Sequence, residues 1–456
     1  MMNDEVTIDP WGSSQSTDYS RIIEQFGLSS MDSVSITDPS RLHRRGIVFA
    51  HRELDMILEA KRLSNPFGVL TGLMPSGSMH MGHSMVIDQV NWFQQQGGDV
   101  TIAVADLEST ATRGISLAEG RRIATEEYVS YYAALGLDPE KTNVYFQSER
   151  NIVQRLGFQL GKRTNLSEFE AIYGFDGATN LAHVQAPLVQ AGDILHPQLE
   201  EYGGLRPIVV PVGVDQDPHL RLTRGLAAKT NWFNVSNAKM GLQIGVSVQE
   251  ENSVIMGVES NGRVNKERQK EVFAKIVNAI SNLGFSDIIS NPKHGTVHIP
   301  SATPRDKGSI RMALLSLERS MGGMGLLAPS STYHRFAVGM TGDKMSSSKP
   351  KTTLFLSDDA ATAEKKIKKS FSGGQATVEE HRRLGGNPDK DVAYQYMMYF
   401  FEEDDAFLSE INEGYRSGKI LAGEMKQMCI ERATEWLTTL SEKKDETAHL
   451  VANFFE

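Results

Sequence analysis

The sequence predicts an α/β protein: a doubly wound parallel sheet followed by a C-terminal helical domain. Three observations lead there. Short apolar strands alternate with helices between residues 64 and 230. A Pro-Ser-Gly turn separates the first of these strands from its helix. From Val378 onward the pattern is mostly helical. Strands alternating with helices at this spacing indicate parallel βαβ units.

Taken in order, residues 1–46 are polar and irregular, with a short strand expected at 6–8. Residues 47–63 read as an amphipathic helix, with Met56, Ile57 and Ala60 on one side. Val69-Leu70-Thr71 is a short buried strand ending at Gly72 and feeding the loop 74–78. A helix begins near His80 and runs to about Gln96, where Gly97-Gly98 stops it. Residues 100–105 form the next strand, 118–135 a helix ended by Gly136, and 143–146 and 208–212 two further strands. Ligands of such sheets bind beyond the carboxyl ends of the strands, which is where 74–83 and 213–217 fall. The stretch 231–329 differs: it joins a polar part with β character (244–258), a helix (266–282) and glycine-rich pieces such as 321–325. Helices at 392–401, 406–417 and 421–442 complete the chain.

Composition narrows the class. The chain has 456 residues, 40% hydrophobic and 23% charged, as in ordinary globular proteins. No apolar run approaches the ~20 residues of a membrane span, and the acidic start lacks a signal peptide's basic end. The single cysteine, Cys429, excludes an intrachain disulfide and a multi-cysteine zinc site, so the cytoplasm is the expected compartment. A net charge of −10 argues against dominant nonspecific nucleic-acid binding. A local basic face remains for RNA in Lys365, Lys366, Lys368, Lys369, Arg382 and Arg383.

Four segments carry chemistry. In Pro75-Ser76-Gly77-Ser78-Met79-His80-Met81-Gly82-His83, the two histidines share one helical face and Gly82 lets a flat group approach the backbone. Alone, such a segment is more often a helix start with incidental histidines; the preceding strand and turn make it a phosphate site. Thr341-Gly342-Asp343-Lys344-Met345-Ser346-Ser347-Ser348-Lys349 has no core-forming purpose. It reads either as a solvated linker or as a flexible anion clamp, with Lys344 as point charge and the serines as donors. Gly213-Val214-Asp215-Gln216-Asp217-Pro218 follows a strand directly and suits ribose hydroxyls and an ammonium group, though it also reads as a turn capping the next helix. Gln190 and Asp193 lie one turn apart in an apolar helix, where a carboxylate needs a partner.

The histidine and serine–lysine segments, in this order, resemble the two ATP signatures of class I aminoacyl-tRNA synthetases. With Asp9-Pro10-Trp11, His43-Arg44-Arg45-Gly46, Arg221-Leu222-Thr223-Arg224, Phe371-Ser372-Gly373-Gly374 and Gly385-Gly386-Asn387, the chain is similar to the tryptophanyl-tRNA synthetases of the archaeal and eukaryotic branch. The resemblance implies a Rossmann-type fold divided into an N-terminal extension (1–63), a first catalytic part (64–230), an insertion of unassigned role (231–329), the catalytic end with the KMSSS loop (330–377) and a helical anticodon-binding domain (378–456). It implies activation of L-tryptophan by ATP and transfer to tRNA(Trp), by a homodimer with no membrane attachment. His80, His83 and Lys344 would be catalytic. Ser76, Gly82, Asp215, Met345, Ser346, Ser347 and Ser348 would hold ATP, with Mg²⁺ on its phosphates and no structural metal. Leu70, Glu108, Gln190, Asp193 and Gln216 would surround tryptophan, with Glu108, Gln190 and Gln216 on its ammonium group.

Two departures stand out. The tyrosine and glutamine that usually meet the indole N–H are replaced by Leu70 and Ala103. Asp193, in a segment like one that bacterial members use, is then the expected acceptor. Ser347 stands where many class I enzymes have a second lysine, and Lys349 is the nearest substitute. Two other readings compete: a tyrosyl-tRNA synthetase, which shares the fold, and a synthetase-like paralogue that binds without aminoacylating.

Overall fold

The computed structural model describes residues 19–259 and 261–455. The expected strand at 6–8 and the segment Asp9-Pro10-Trp11 lie outside them. Eleven strands are found among the described residues: β1 (Ser29–Ser30), β2 (Val48–Arg52), β3 (Gly68–Leu73), β4 (Asp99–Val104), β5 (Thr142–Phe146), β6 (Ile208–Gly213), β7 (Phe233–Asn237), β8 (Leu242–Val246), β9 (Ile289–Asn291), β10 (Thr296–Ile299) and β11 (Ser330–His334). The main sheet has the order β1-β2-β11-β6-β3-β4-β5. From β11 to β5 all neighbours are parallel, with helices in the crossovers. From β3 the chain winds outward through β4 to β5, then returns through β6 to β11, so the direction reverses between β3 and β6. Such a reversal opens a crevice at the strands' carboxyl ends.

Two features correct the sequence reading. Residues 47–63 are not one helix: β2 occupies Val48–Arg52, and the helix is Leu54–Arg62. Val48, Phe49 and Ala50 are buried in the sheet, where β2 runs antiparallel to both β1 and β11. A short apolar run looks alike in a buried strand and a buried helix, and only pairing separates them. Glu53, in the left-handed region at φ 47, makes the break. The sheet is therefore mixed at this edge rather than parallel throughout.

Residues 233–299 build a second sheet, wholly antiparallel, of order β7-β8-β10-β9. In the β-like stretch 244–258 only the first residues are strand; a short 3-10 turn at Glu250–Asn252 follows. Helices Lys266–Ser281 and Lys307–Ser320 cover this sheet with a core of its own, including Phe233, Ile244, Phe273, Ile276, Val297 and Leu314. Its base is stapled at both ends: the Asn231 side chain and Leu326 exchange hydrogen bonds of 2.8 and 2.9 Å. Buried Glu318 accepts from the backbone N–H of Trp232 and of Gly325.

The C-terminal helices, including Asp405–Arg416 and Ala422–Glu446, have no separate core. Tyr396, Met397, Phe400, Met425 and Cys429 join one apolar cluster with Met81, Met85 and Ile102 of the main sheet and its first helix. Phe455 lies against the sheet, bridging to Val144 and stacking on Phe146.

Candidate active site

A cavity of about 610 Å³ opens at the carboxyl ends of β3, β4, β6 and β11, where the winding reverses. On one wall, β3 turns through Met74–Ser78 into the helix Met81–Gln95. The rings of His80 and His83 stack 3.8 Å apart, nearly parallel, and His83 Nδ1 accepts from the His80 backbone N–H. Burial, the neighbouring His83 and the Lys344 charge together hold His80 well below the usual imidazole range. Burial alone lowers His83 to about 4. Both rings are therefore neutral near pH 7 and act as hydrogen-bonding groups rather than charges. Gly82 fits closely: a Cβ there would sit 3.1 Å from the His80 ring, which would have to give by a few tenths of an ångström.

The opposite wall is the serine–lysine loop. Val338 and Lys344 bridge as an antiparallel pair, and the Met345 N–H bonds Ala337 O at 2.9 Å. Buried Met345 turns its sulfur to the Gly82 N–H at 3.4 Å. The far arm of the loop bonds back through Leu354 O to the Met81 N–H, 3.1 Å away. Lys344 Nζ reaches across to Asp215 Oδ2 at 3.0 Å and lies 4.7 Å from the centre of the Phe336 ring. Asp215 and Gln216 sit in the short turn after β6. Asp217, one residue on, faces inward instead, gripped by Arg52 at 2.9 Å and by the Tyr333 hydroxyl at 2.7 Å.

The floor is apolar and ends in a polar corner. Leu70, Ala103, Ile194 and Val210 line it, with Glu108, Gln190 and Gln216 around its mouth. Gln190 Nε2 lies 3.5 Å from Gln216 Oε1. Helices Asn151–Gly161 and Leu181–Leu195 approach so closely that a Cβ on Gly157 would lie 2.6 Å from the Leu188 carbonyl oxygen. That approach brings Asp193 against β5. Its carboxylate is 2% exposed and accepts from the Tyr145 hydroxyl and from Gln147 Nε2, each at 2.5 Å. Burial pushes Asp193 up to about 7; the two hydrogen bonds oppose this, and the charges of Glu108 and Asp106 add to it.

Of the residues expected from sequence, the cavity brings together His80, Gly82, His83, Lys344, Asp215, Met345, Ser346, Ser348, Leu70, Glu108, Gln190, Asp193 and Gln216. Ser76 and Ser347 do not line it; the Ser76 hydroxyl bonds Tyr128 instead. Lys349 does line it. Sequence reading missed several lining residues, among them Arg113, Gln147 and His334. Arg113 closes the helix Asp106–Arg113. Gln147 follows β5 directly, the same position relative to its strand that draws attention to the residues after β6. His334 ends β11, whose Ser-Ser-Thr-Tyr-His carries no apolar pattern that marks a strand. Its Nδ1 faces the Gln89 amide at 3.0 Å, and burial lowers it to about 4.

This arrangement suits an anionic, planar, ribose-bearing substrate beside a second one with an ammonium group and a flat apolar body. The chain matches the family described as tRNA synthetases class I (W and Y) over residues 61–276 and 307–438. It is 39% identical over 443 residues to the tryptophan–tRNA ligase of Methanosarcina acetivorans, covering 97% of this chain and 96% of that protein. To the tryptophan–tRNA ligase of Thermoplasma acidophilum it is 39% identical over 440 residues, covering 96% and 97%. Among solved structures, tryptophanyl-tRNA synthetase from Aeropyrum pernix superposes with a TM-score of 0.73 at 35% identity, covering 98% of this chain and 99% of that one. With the family matched over both halves of the cavity and relatives aligned nearly end to end, the chain belongs to the class I tRNA synthetases of the tryptophan and tyrosine group.

Proposed function

We propose that the protein is a tryptophan–tRNA ligase, which activates L-tryptophan with ATP to tryptophanyl-AMP and transfers the aminoacyl group to tRNA(Trp). One observation carries this reading. A single cavity holds the histidine pair, the Lys344 loop and Asp215 at one end, and an apolar floor with Glu108, Gln190 and Gln216 at the other. In this reading ATP lies along the helix start at Met81, its phosphates over Gly82, where helix N–H groups and the helix dipole favour anions. Asp215 takes the ribose hydroxyls. Glu108, Gln190 and Gln216 hold the α-ammonium group, so that the amino-acid carboxylate faces the α-phosphate in line. As pyrophosphate leaves, the neutral imidazoles of His80 and His83 donate hydrogen bonds and Lys344 supplies the positive charge. Among the described residues no three His, Cys, Asp or Glu side chains cluster as a metal site. In this reading Mg²⁺ comes with the phosphates of ATP. When bound, it would neutralise the departing pyrophosphate.

The same reading makes the helices after Val378 the anticodon contact. It also makes the enzyme a homodimer, whose partner would be met by Phe158, 86% exposed on the helix Asn151–Gly161. Light scattering that gives twice the monomer mass would support the dimer, and the monomer mass would refute it. Among the described residues no helix is long and apolar enough to cross a membrane. The test of function is ATP–pyrophosphate exchange with single amino acids. Exchange driven by tryptophan supports the proposal, exchange driven by tyrosine instead makes the protein a tyrosyl enzyme, and none with either makes it a non-catalytic relative.

A further inference from the structure

We propose that in this chain the acceptor for the indole N–H is the side-chain carbonyl of Gln147, with Asp193 as the positioning residue that fixes its orientation. The proposal rests on the tryptophan reading above. Gln147 is 2% exposed and lines the apolar end of the cavity. Its backbone is tied on both sides: its N–H donates to Val104 O at 3.1 Å, and its carbonyl accepts from Gln154 Nε2 at 2.8 Å. Its side-chain Nε2 donates to Asp193 Oδ2, but among the described residues its Oε1 is buried and accepts nothing. Buried acceptors are rarely left so, and one that lines a cavity points to a donor arriving with the ligand.

The chemistry of the cluster sets which way the amide faces. The ionised form of Asp193 only accepts, and the amide turns its NH₂ to it and its oxygen away. The other Asp193 oxygen is engaged by the Tyr145 hydroxyl. Tyr145 is itself pinned, with the Arg150 guanidinium 4.1 Å from its ring centre and the His196 ring edge-on at 5.1 Å. Leu70 and Ala103 offer no side-chain acceptor, and with Ile194 and Val210 they form walls suited to a flat ring. Each Asp193 oxygen already accepts one hydrogen bond, whereas beside these walls the acceptor with no partner among the described residues is the side-chain oxygen of Gln147. A ligand without an N–H would leave it unpaired, which is the source of discrimination.

The experiment compares tryptophan with its sulfur isostere 3-(3-benzothienyl)-alanine, which lacks the N–H, in ATP–pyrophosphate exchange. Wild-type enzyme should prefer tryptophan by about tenfold or more in kcat/KM, as expected for one buried hydrogen bond. In Gln147→Met the preference should fall to within about threefold, through the tryptophan KM rather than kcat. Gln147→Asn keeps the amide but withdraws it by one methylene, and serves if methionine unsettles the fold; the same collapse is expected. Asp193→Asn frees the amide to swivel and should lose part of the preference, again in KM. Combined with Gln147→Met it should lose no more than Gln147→Met alone. Wild type that tryptophan does not activate sinks the tryptophan reading and the proposal with it. Active wild type whose preference survives both Gln147 variants overturns the proposal alone. If it survives those variants but vanishes in Asp193→Asn, the acceptor is Asp193.

Discussion

Replacing Lys344 with alanine tests the site most directly. In the structure the Lys344 ammonium lies 3.0 Å from Asp215, with side chains only 22% and 14% exposed. In the proposed reading, nucleotide binding would transfer Asp215 to the ribose and turn the lysine toward the phosphates. A unit charge about 4 Å from a phosphate oxygen is worth about 4 kcal/mol at an effective dielectric near 20. The charge-assisted bond to Asp215 that must first be given up nets about 1.5 kcal/mol or somewhat more. The surplus, about 2.5 kcal/mol, is close to the ~3 kcal/mol typical of one preorganised donor to a developing anion. Adenylate formation in Lys344→Ala should therefore slow about a hundredfold. Tryptophan affinity should hardly change, because Lys344 contacts Asp215 and Phe336, which the proposed reading puts on the nucleotide side. Single-turnover stopped-flow measures the rate, and equilibrium quenching of intrinsic fluorescence measures tryptophan binding. A variant with weakened tryptophan binding and an unchanged rate refutes the assignment.

Gly82→Ala should raise the ATP KM about tenfold or more, because the new Cβ crowds the His80 ring against its stacking partner His83; steady-state kinetics that match wild type would show the backbone there is not a phosphate contact. Burial pushes Glu318 up to about 7, above its unfolded value of 4.5. A raised carboxyl contributes stability that is fully present below the unfolded pKa and lost as pH rises through the folded one. The melting temperature of wild type relative to Glu318→Gln should therefore fall between pH 5 and pH 8, as read by calorimetry at both ends; a constant difference would contradict this. The basic face needs trimming before it is tested: Lys366 is half-buried, bonded to Asp358 at 2.6 Å and to Thr353 O, whereas Lys365, Lys368 and Lys369 are exposed. Alanine at those three should flatten the salt dependence of tRNA binding, with a slope smaller by about 0.7–0.9 for each phosphate no longer neutralised. It should leave adenylation without tRNA intact. An unchanged slope would move the RNA face elsewhere.

Local pattern is enough for the strands and helices that the chain makes with its own neighbours. β3, β4, β5 and β6 each follow an apolar run bounded by glycine or proline, and each is legible within a residue or two. The histidine and serine–lysine segments are legible because their residues have no use in a core. By contrast β2 and β11 exist because they pair with each other across some 280 residues of chain. Neither carries the alternation of a half-buried strand, since burial on both faces removes it. His334 escapes notice along with its strand.

What the sequence by itself determined was the list of chemical groups and the strand–turn–helix context of the proposed phosphate site. Those depend on interactions between residues close in the chain. Which groups face the substrates was decided only by tertiary structure. Asp217 sits two residues from Asp215 yet is turned inward, because Arg52 and Tyr333, distant in sequence, claim it. From sequence alone Asp193 is the expected acceptor; in the structure its two oxygens already accept from Tyr145 and Gln147, while the Gln147 side-chain oxygen has no partner among the described residues. Hydrogen bonds are short-ranged and directional, so a polar side chain's role is set by which partners reach it, and packing of elements far apart in sequence decides that.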